Sequence, residues 1–312
     1  MDLVLIFPGQ GSQKVGMASD LAKAFREAET VFEQADATLG FPLSRLCFEG
    51  PQETLTSTEN AQPALLAHGA AVWAVVRQRL QTRVAAAAGH SLGEFTAYHA
   101  SGTFEVPAAL RVVRTRGELM KRSGDDRPGT MAAVLGLAEP ALEDVCRRAS
   151  TNGSVVVPAN YNDPMQIVIS GDVAAVERAS ALAKEAGAKR VVPLKVSGAF
   201  HSPLMEVAAA GLRDELDATV MHDPEFDVWS NVSAEPVSNA KTAKTQLVRQ
   251  LTSPVRWAAQ VRAMAAAHRD ALWVEMGPGE VLRGLVKKIA PETKTAACGT
   301  AADVEQLLRM LD

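Results

Sequence analysis

Residues 84–99 read Val-Ala-Ala-Ala-Ala-Gly-His-Ser-Leu-Gly-Glu-Phe-Thr-Ala-Tyr-His, a small apolar run that enters a turn and then a helical pattern. The five residues 89–93 match the Gly-x-Ser-x-Gly elbow, in which a strand turns sharply into a helix and exposes a serine nucleophile. A Cβ on either side of the strained serine would collide with neighbouring backbone, which explains the two glycines. The stretch predicts an α/β fold with Ser91 at its turn, and the alternative is a plain turn before a helix.

The composition is ordinary for a soluble globular protein: 312 residues, 47% hydrophobic and 22% charged, enough for one large domain and a smaller one. The net charge of −4 gives no sign of nucleic-acid binding, and no apolar run approaches the ~20 residues of a membrane span. The amino terminus lacks the basic flank of a signal peptide. Cys47, Cys146 and Cys298 lack metal-ligand spacing and are typical of reduced thiols, so we expect a cytoplasmic protein without a metal site.

The first apolar run, residues 3–7, predicts a buried parallel strand and is followed by a glycine-rich loop at residues 9–17. A dinucleotide fingerprint would need glycine where Lys14 stands, and a phosphate loop would need Gly-Lys-Ser/Thr where Gly16 and Met17 stand. Both phosphate-binding hypotheses fail. The loop follows the carboxyl end of a strand, where open α/β sheets place their sites, so its backbone N–H groups are candidates for holding an oxyanion.

A helix predicted from Pro107 to about Ser123 carries an arginine on its apolar face. Arg116 is three or four residues from the apolar positions that mark this face: Val112, Val113, Leu119 and Met120. A buried arginine needs an anion, because an unpaired buried charge is very costly. A structural salt bridge, a snorkelling side chain and a clamp for a substrate carboxylate all fit the pattern.

The middle of the chain predicts a small subdomain with the order β-α-β-β-α-β, the ferredoxin-like motif. Its predicted strands are residues 130–137, 154–158, 165–170 and 190–196, and its helices are residues 139–149 and 172–186. We therefore expect residues 128–196 to form an inserted unit. Residues 1–127 and 197–312 then form a large α/β-hydrolase-like domain with a mostly parallel sheet, and a cleft lies at the seam.

Three histidines are candidates for a general base. His201 lies where the chain re-enters the large domain, and it matters only if it meets Ser91. A lone histidine in a loop is usually a bystander. His90 lies inside the elbow and is expected to pack or hydrogen-bond beside it. His99 lies on the helix predicted to follow the elbow.

Taken together, the motifs resemble one family over nearly the whole chain. They lie, in order, at residues 7–13, 62–64, 89–94, 116–120, 159–162, 198–202, 250, 254–257, 275 and 277–279. In this order they are similar to the malonyl-CoA:acyl carrier protein transacylases, the stand-alone acyltransferases of type II fatty acid synthesis. Phe95, where tyrosine is frequent, is a small departure.

The resemblance implies the catalytic roles. Ser91 would take the malonyl group as an ester, in a ping-pong reaction, and His201 would be its base. The backbone carbonyl of Gln250 would orient His201, in place of an aspartate. The backbone N–H groups of Gln10 and Leu92 would form the oxyanion hole.

The resemblance also implies how substrates are held. Arg116 would pair with the free carboxylate of malonate, and Phe200 is similar to the malonyl-selective pattern. Gln62 and Asn160 are further candidate substrate-binding residues. The expected partners are malonyl-CoA and acyl carrier protein, with no cofactor beyond the phosphopantetheine that the carrier brings, and the expected state is a monomer. Basic residues on the final predicted helix, Arg283, Lys287 and Lys288, are candidates for docking an acidic carrier.

Other functions remain open at this stage. An esterase or thioesterase of the α/β-hydrolase type would have its histidine late in the chain, whereas 312 − 201 = 111 residues follow His201. A non-catalytic carrier-binding protein could keep the fold, and a discrete acyltransferase serving a polyketide synthase would have the same sequence features.

Overall fold

A computed structural model describes residues 1–151 and 153–311 of the chain. Residues 152 and 312, which fall in the predicted ranges 128–196 and 197–312, lie outside the described residues. The strands are β1 Leu3–Phe7, β2 Val84–Gly89, β3 Gly129–Leu135, β4 Val156–Asp163, β5 Gln166–Asp172, β6 Arg190–Pro193, β7 Asp227–Trp229, β8 Pro236–Val237, β9 Leu272–Met276 and β10 Lys294–Cys298. The helices are α1 Ser19–Ala24, α2 Arg26–Leu39, α3 Leu43–Glu49, α4 Gln52–Thr56, α5 Thr58–Leu80, α6 Leu92–Ala100, α7 Val106–Asp126, α8 Glu139–Ala149, α9 Val173–Glu185, α10 Glu206–Ala218, α11 Ala240–Gln250, α12 Trp257–Ala267, α13 Val281–Ile289 and α14 Ala301–Leu311.

The larger sheet has the strand order β10-β9-β1-β2-β7-β8, and all of its pairs are parallel except β7 with β8. All five residues of the central strand β1 are buried, as expected for a strand with helices on both faces. Phe7 pairs with Gly89, so β1 and β2 end side by side. The loop after β1 and the elbow after β2 therefore meet at the carboxyl edge of the sheet, where open α/β sheets place their sites.

The elbow has the strained geometry that its sequence predicts. Ser91 has a φ of 52°, which is rare for a residue with a side chain. A Cβ on Gly93 would lie 2.0 Å from the carbonyl oxygen of Phe7, and one on Gly89 would lie 1.9 Å from the carbonyl carbon of Gly93. Only glycine permits this close backbone approach, which packs α6 against β1 and lifts Ser91 above the sheet edge.

The smaller sheet has the order β4-β5-β3-β6, and its pairs are all antiparallel. Helices α8 and α9 pack on this sheet and on each other, so the unit has the β-α-β-β-α-β arrangement. The predicted fold class is confirmed, since a mostly parallel sheet is joined to a smaller unit with the ferredoxin-like strand and helix order. The limits of the subdomain at residues 128 and 196 remain a proposal.

Two predicted elements differ from the structure. Residues 18–38, whose sequence pattern predicts a continuous helix, form two helices, because Phe25 is extended, with a φ of −132° and a ψ of 123°, between α1 and α2. The strand predicted at residues 154–158 continues to Asp163, because its last residues pair with β5. On its other edge, Ala159 and Tyr161 exchange backbone hydrogen bonds with Val255 of the large domain. This tertiary pairing joins the two parts of the chain beside the site.

Within the described residues, none of the helices has the length and apolar character needed to cross a membrane.

Candidate active site

A cavity of about 280 Å³ lies at the carboxyl edge of the larger sheet, between it and the small subdomain. The large domain contributes the loop after β1, the elbow, α7 and the segment around His201. The small subdomain contributes Met131 and Asn160 from its sheet and the strand exit at residues 194–196. Predicted site residues that line the cavity are Gln10, Ser91, Leu92, Arg116, Asn160, Phe200 and His201.

Ser91 and His201 meet across 110 positions of sequence. The Ser91 Oγ lies 2.7 Å from the His201 Nε2, and the His201 Nδ1 lies 2.8 Å from the main-chain oxygen of Gln250. A carbonyl oxygen only accepts, so the Nδ1 must carry the proton and the Nε2 presents its lone pair to the serine. A backbone carbonyl thus fixes the imidazole in the tautomer that a general base requires.

The imidazole of His201 is buried, and this fixes its charge. Burial, and next the positive charge of Arg116, lower the pKa of His201 from 6.5 to about 3. The side chain is therefore neutral at neutral pH and free to take the proton of Ser91. The φ of His201 is 56°, so Ser91 and His201 both have backbone conformations that are rare for residues other than glycine.

Arg116 is 1% exposed and lies beside the nucleophile. Its Nη2 donates to the Ser91 Oγ at 3.1 Å and to the Gln250 Oε1 at 2.9 Å, and its Nη1 donates to the Gln62 Oε1 at 2.7 Å. Burial lowers the pKa of Arg116 to about 10, which leaves it charged at neutral pH. Its Nε–H is buried and has no partner among the described residues, so the guanidinium keeps one unused donor.

Two backbone N–H groups suit an oxyanion. Leu92 is the first residue of α6, where N–H groups lack helical partners, and Gln10 lies in the loop after β1. No described residue accepts from the backbone N–H of either one. The Gln10 side chain donates to Thr58 Oγ1 at 3.2 Å, which fixes the loop. The N–H of Ser91 is already taken by the Asn231 Oδ1 at 2.7 Å.

The remaining predicted residues separate into two groups. Asn160 and Phe200 lie on the cavity wall, whereas Gln62 is fully buried and contacts Arg116 from behind. The Nε2 of His90 is bonded to the Asn162 Oδ1, at 2.8 Å, and not to Ser91. His99 bonds the carbonyl of Phe104.

Two residues at the site were not predicted. Asn231 follows β7, accepts from the N–H of Ser91 and donates to the carbonyl of Gly89 at 2.7 Å, so it holds both sides of the elbow. Glu94 is fully buried in the first turn of α6. Burial raises the pKa of Glu94 from 4.5 to about 7, against hydrogen bonds from Gln250 and Asn231 and the charge of Arg116. The sequence signal for Asn231 is its place at the end of a strand of the larger sheet.

Comparisons with known proteins place this chain in a family. Residues 4–304 match the model of the acyl transferase domain. The malonyl CoA-acyl carrier protein transacylase of Bacillus subtilis is 43% identical, over 99% of this chain and 97% of that protein. The protein of the same name from Escherichia coli is 42% identical, over 94% of both chains.

Solved structures agree with the sequence relatives. An acyl carrier protein S-malonyltransferase from Vibrio cholerae superposes with a TM-score of 0.93 at 40% identity, over 98% of this chain and all of that one. A malonyl-transacylase in complex with a type II PKS acyl-carrier protein superposes with a TM-score of 0.95 at 38% identity, over 99% of this chain and all of that one.

Proposed function

The chain belongs to the acyl transferase domain family, and we propose that it moves a malonyl group from malonyl-CoA to the phosphopantetheine thiol of an acyl carrier protein. The observation that carries the proposal is at the Ser91 hydroxyl, which lies 2.7 Å from the free nitrogen of a neutral His201 and 3.1 Å from the guanidinium of Arg116. A base and a cation within reach of one nucleophile suit an acyl group that ends in a carboxylate.

In the first half-reaction, His201 takes the proton of Ser91 as its Oγ attacks the thioester carbonyl of malonyl-CoA. The carbonyl oxygen becomes an oxyanion, and we assign the backbone N–H groups of Gln10 and Leu92 to hold it. The C–S bond then breaks, and the departing CoA thiolate receives the proton from His201. The malonyl group is left as an ester on Ser91.

In the second half-reaction, the thiol of the carrier's phosphopantetheine replaces CoA in the same cavity. His201 takes the thiol proton, and the thiolate attacks the ester carbonyl through a second oxyanion. The C–O bond breaks, and His201 returns its proton to Ser91. Only acyl exchange between oxygen and sulfur is involved, so the proposed chemistry needs no cofactor.

The malonyl carboxylate lies one methylene beyond the ester carbonyl, within the reach of a guanidinium that already touches the Ser91 Oγ. We propose that Arg116 pairs with this carboxylate and that Gln62 holds Arg116 from behind. Phe200 and Asn160, on the cavity wall, would limit the size of the acyl group and position it.

Intact-mass measurement tests this function. Mixing the protein with malonyl-CoA should add the mass of one malonyl group, on the peptide that contains Ser91, and adding carrier protein should move that mass to the carrier. Release of free malonate alone would favour a thioesterase, and no adduct would favour a non-catalytic carrier-binding protein.

A polyketide pathway is the second candidate, because one structural relative was solved with a type II PKS acyl-carrier protein. We therefore propose two possible carriers for the same chemistry. Parallel transfer assays with a fatty-acid carrier and a polyketide carrier compare them, and the higher kcat/KM identifies the pathway.

We propose that the carrier docks on basic residues of α13. Arg283 lies 3.4 Å from Glu280, and Lys288 lies 3.2 Å from Asp163, so both charges are partly compensated. Lys287 is exposed and has no acidic partner among the described residues. It is therefore the best placed of the three to meet an acidic carrier.

Reversing the charge with Lys287→Glu should raise the KM for the carrier by about threefold at low salt, while malonyl loading from malonyl-CoA stays unchanged. Steady-state transfer at two ionic strengths measures this effect. Lys241→Glu, an equal charge change at an exposed position of α11, is the control. A carrier KM that does not respond to ionic strength would rule out electrostatic docking.

The setting of the enzyme is also proposed. Cys47, Cys146 and Cys298 are buried free thiols, which supports a reducing compartment such as the cytoplasm. All groups of the proposed mechanism come from one chain, which supports action as a monomer.

A further inference from the structure

Glu94 is a buried carboxyl group that has no role in the proposed acyl transfer itself. It is fully buried and no lysine, arginine or histidine nitrogen of the described residues lies within 4.0 Å of its oxygens. It does not line the cavity, so it does not touch a substrate there. Burying a carboxylate without a direct cation is costly, and a residue that does so one position after the elbow calls for a physical reason.

Its contacts lie on one oxygen. The Glu94 Oε2 accepts from the Gln250 Nε2 at 2.7 Å and from the backbone N–H of Asn231 at 3.1 Å. The Oε1 has no partner among the described residues. The same Gln250 Nε2 also donates to the carbonyl of Ser91 at 3.0 Å. Glu94 thus reaches the nucleophile's own peptide group through a single intermediary.

The amide of Gln250 lies between two groups that allow it only one orientation. Above its pKa of about 7, Glu94 is a carboxylate that only accepts, so the Nε2 faces Glu94. A guanidinium only donates, so the Oε1 must face Arg116. The main-chain oxygen of Gln250 meanwhile accepts from His201. One residue therefore orients both the base and the proposed carboxylate clamp, and Glu94 orients that residue.

The side chain of Gln250 also separates the carboxyl group of Glu94 from the guanidinium of Arg116. A direct ion pair would occupy the donors of Arg116 that a malonyl carboxylate needs. With Gln250 in between, the ionised form of Glu94, which is favoured above its pKa of about 7, supplies a compensating negative charge to the buried site, while the Nε–H of Arg116 stays unused.

We propose that Glu94 is a positioning residue, which acts through the side chain of Gln250 to hold Arg116 and His201 in register with Ser91. The inference deepens the proposed malonyl transfer and rests on it for the role of Arg116. Glutamine at position 94 has the same shape but carries a donor and no charge, so it would weaken the hold on the Gln250 amide and leave its orientation to the Ser91 carbonyl and Arg116 alone.

The test is a double-mutant cycle with Glu94→Gln, Gln250→Ala and the double variant, each assayed for the rate of Ser91 malonylation and for Tm. Gln250→Ala keeps the main-chain oxygen that His201 needs. We expect Glu94→Gln to lower kcat/KM by about 10- to 100-fold, the cost of slight misplacement of catalytic groups. The double variant should fall within about threefold of Gln250→Ala, because a residue that acts through Gln250 has no further effect once that side chain is gone.

The matched control is Glu275→Gln. Glu275 is also buried and also accepts two N–H groups, those of Leu282 and Arg283, but it lies outside the cavity lining. Glu275→Gln should lower Tm, as Glu94→Gln does, but its kcat/KM should stay within about twofold of wild type. A Glu94→Gln enzyme within twofold of wild type, or losses that multiply in the double variant, would overturn the inference. If Glu94→Gln does not fold, Glu94→Asp, which withdraws the carboxylate by one methylene, replaces it in the same cycle.

A second probe separates this inference from the proposed function. The rate at which a serine-directed sulfonyl fluoride modifies Ser91 reports the Ser91–His201 pair and needs no malonyl group. Failure of wild type with malonyl-CoA would reject malonyl transfer, and the sulfonylation rates would still decide the role of Glu94. We expect Glu94→Gln to slow sulfonylation about three- to tenfold, again without further effect in Gln250→Ala; an unchanged rate would overturn the inference.

Discussion

Replacing His201 by alanine should lower the rate of Ser91 malonylation by at least about 10⁴-fold. A serine hydroxyl is a weak nucleophile until a base takes its proton. Among the described residues, the only imidazole nitrogen bonded to the Ser91 Oγ is that of His201, at 2.7 Å. Because the pKa of His201 is held at about 3, the whole population of wild-type enzyme carries a neutral base at neutral pH. Alanine removes that base and leaves the oxyanion donors in place.

Rapid-quench intact-mass measurement of the malonyl adduct gives this rate, and Ser91→Ala sets the background. The control is His68→Ala, since His68 is also a buried histidine bonded to a main-chain carbonyl, that of Gly299, but is absent from the cavity wall. The His68→Ala variant should be less stable than wild type, but its rate of Ser91 malonylation should stay within a few-fold of the wild-type rate. If His201→Ala retained more than about a hundredth of the wild-type rate, another group would be the base, and His90 would be the next residue to replace.

The elbow was predictable from sequence because its constraints are local. A glycine on each side of a strained serine follows from the close approach of three backbone segments, and the strand and helix around it are adjacent in sequence. Arg116 was also predictable as a buried residue, since helical periodicity places it among apolar neighbours. Its direction towards Ser91 depends on how α7 packs against the sheet, which periodicity does not specify.

The pairing of Ser91 with His201 could not be predicted from spacing, because 110 positions separate them and the subdomain lies in between. Resemblance to a family supplied the assignment. Glu94 and Asn231 were missed for a related reason: the part each plays depends on three chain segments meeting, and a single acid or amide in sequence does not reveal that meeting. The additional pairing of β4 with Val255 likewise depends on a partner far along the chain.

Replacing Arg116 by alanine should reverse the acyl preference of the enzyme. Malonyl loading should fall by about 10³-fold, because a malonyl carboxylate left in the cavity without its cation costs about 3–5 kcal/mol. An acetyl group has no carboxylate, so its loading does not need this cation. Acetyl loading should stay unchanged or rise, since the positive charge of Arg116 lowers the pKa of His201 and its removal makes the imidazolium easier to form.

Competition between malonyl-CoA and acetyl-CoA, read by intact mass on Ser91, measures both rates in one mixture. Arg116→Lys keeps the charge but loses the planar fork that bonds Gln62 and Gln250 together, so it should fall between wild type and Arg116→Ala. Arg111→Ala, at an exposed position of α7, removes an arginine from the same helix and should change neither rate. If Arg116→Ala slowed malonyl and acetyl loading equally, Arg116 would serve the reacting centre itself, and the choice of malonyl would have to come from the cavity wall at Phe200 and Asn160.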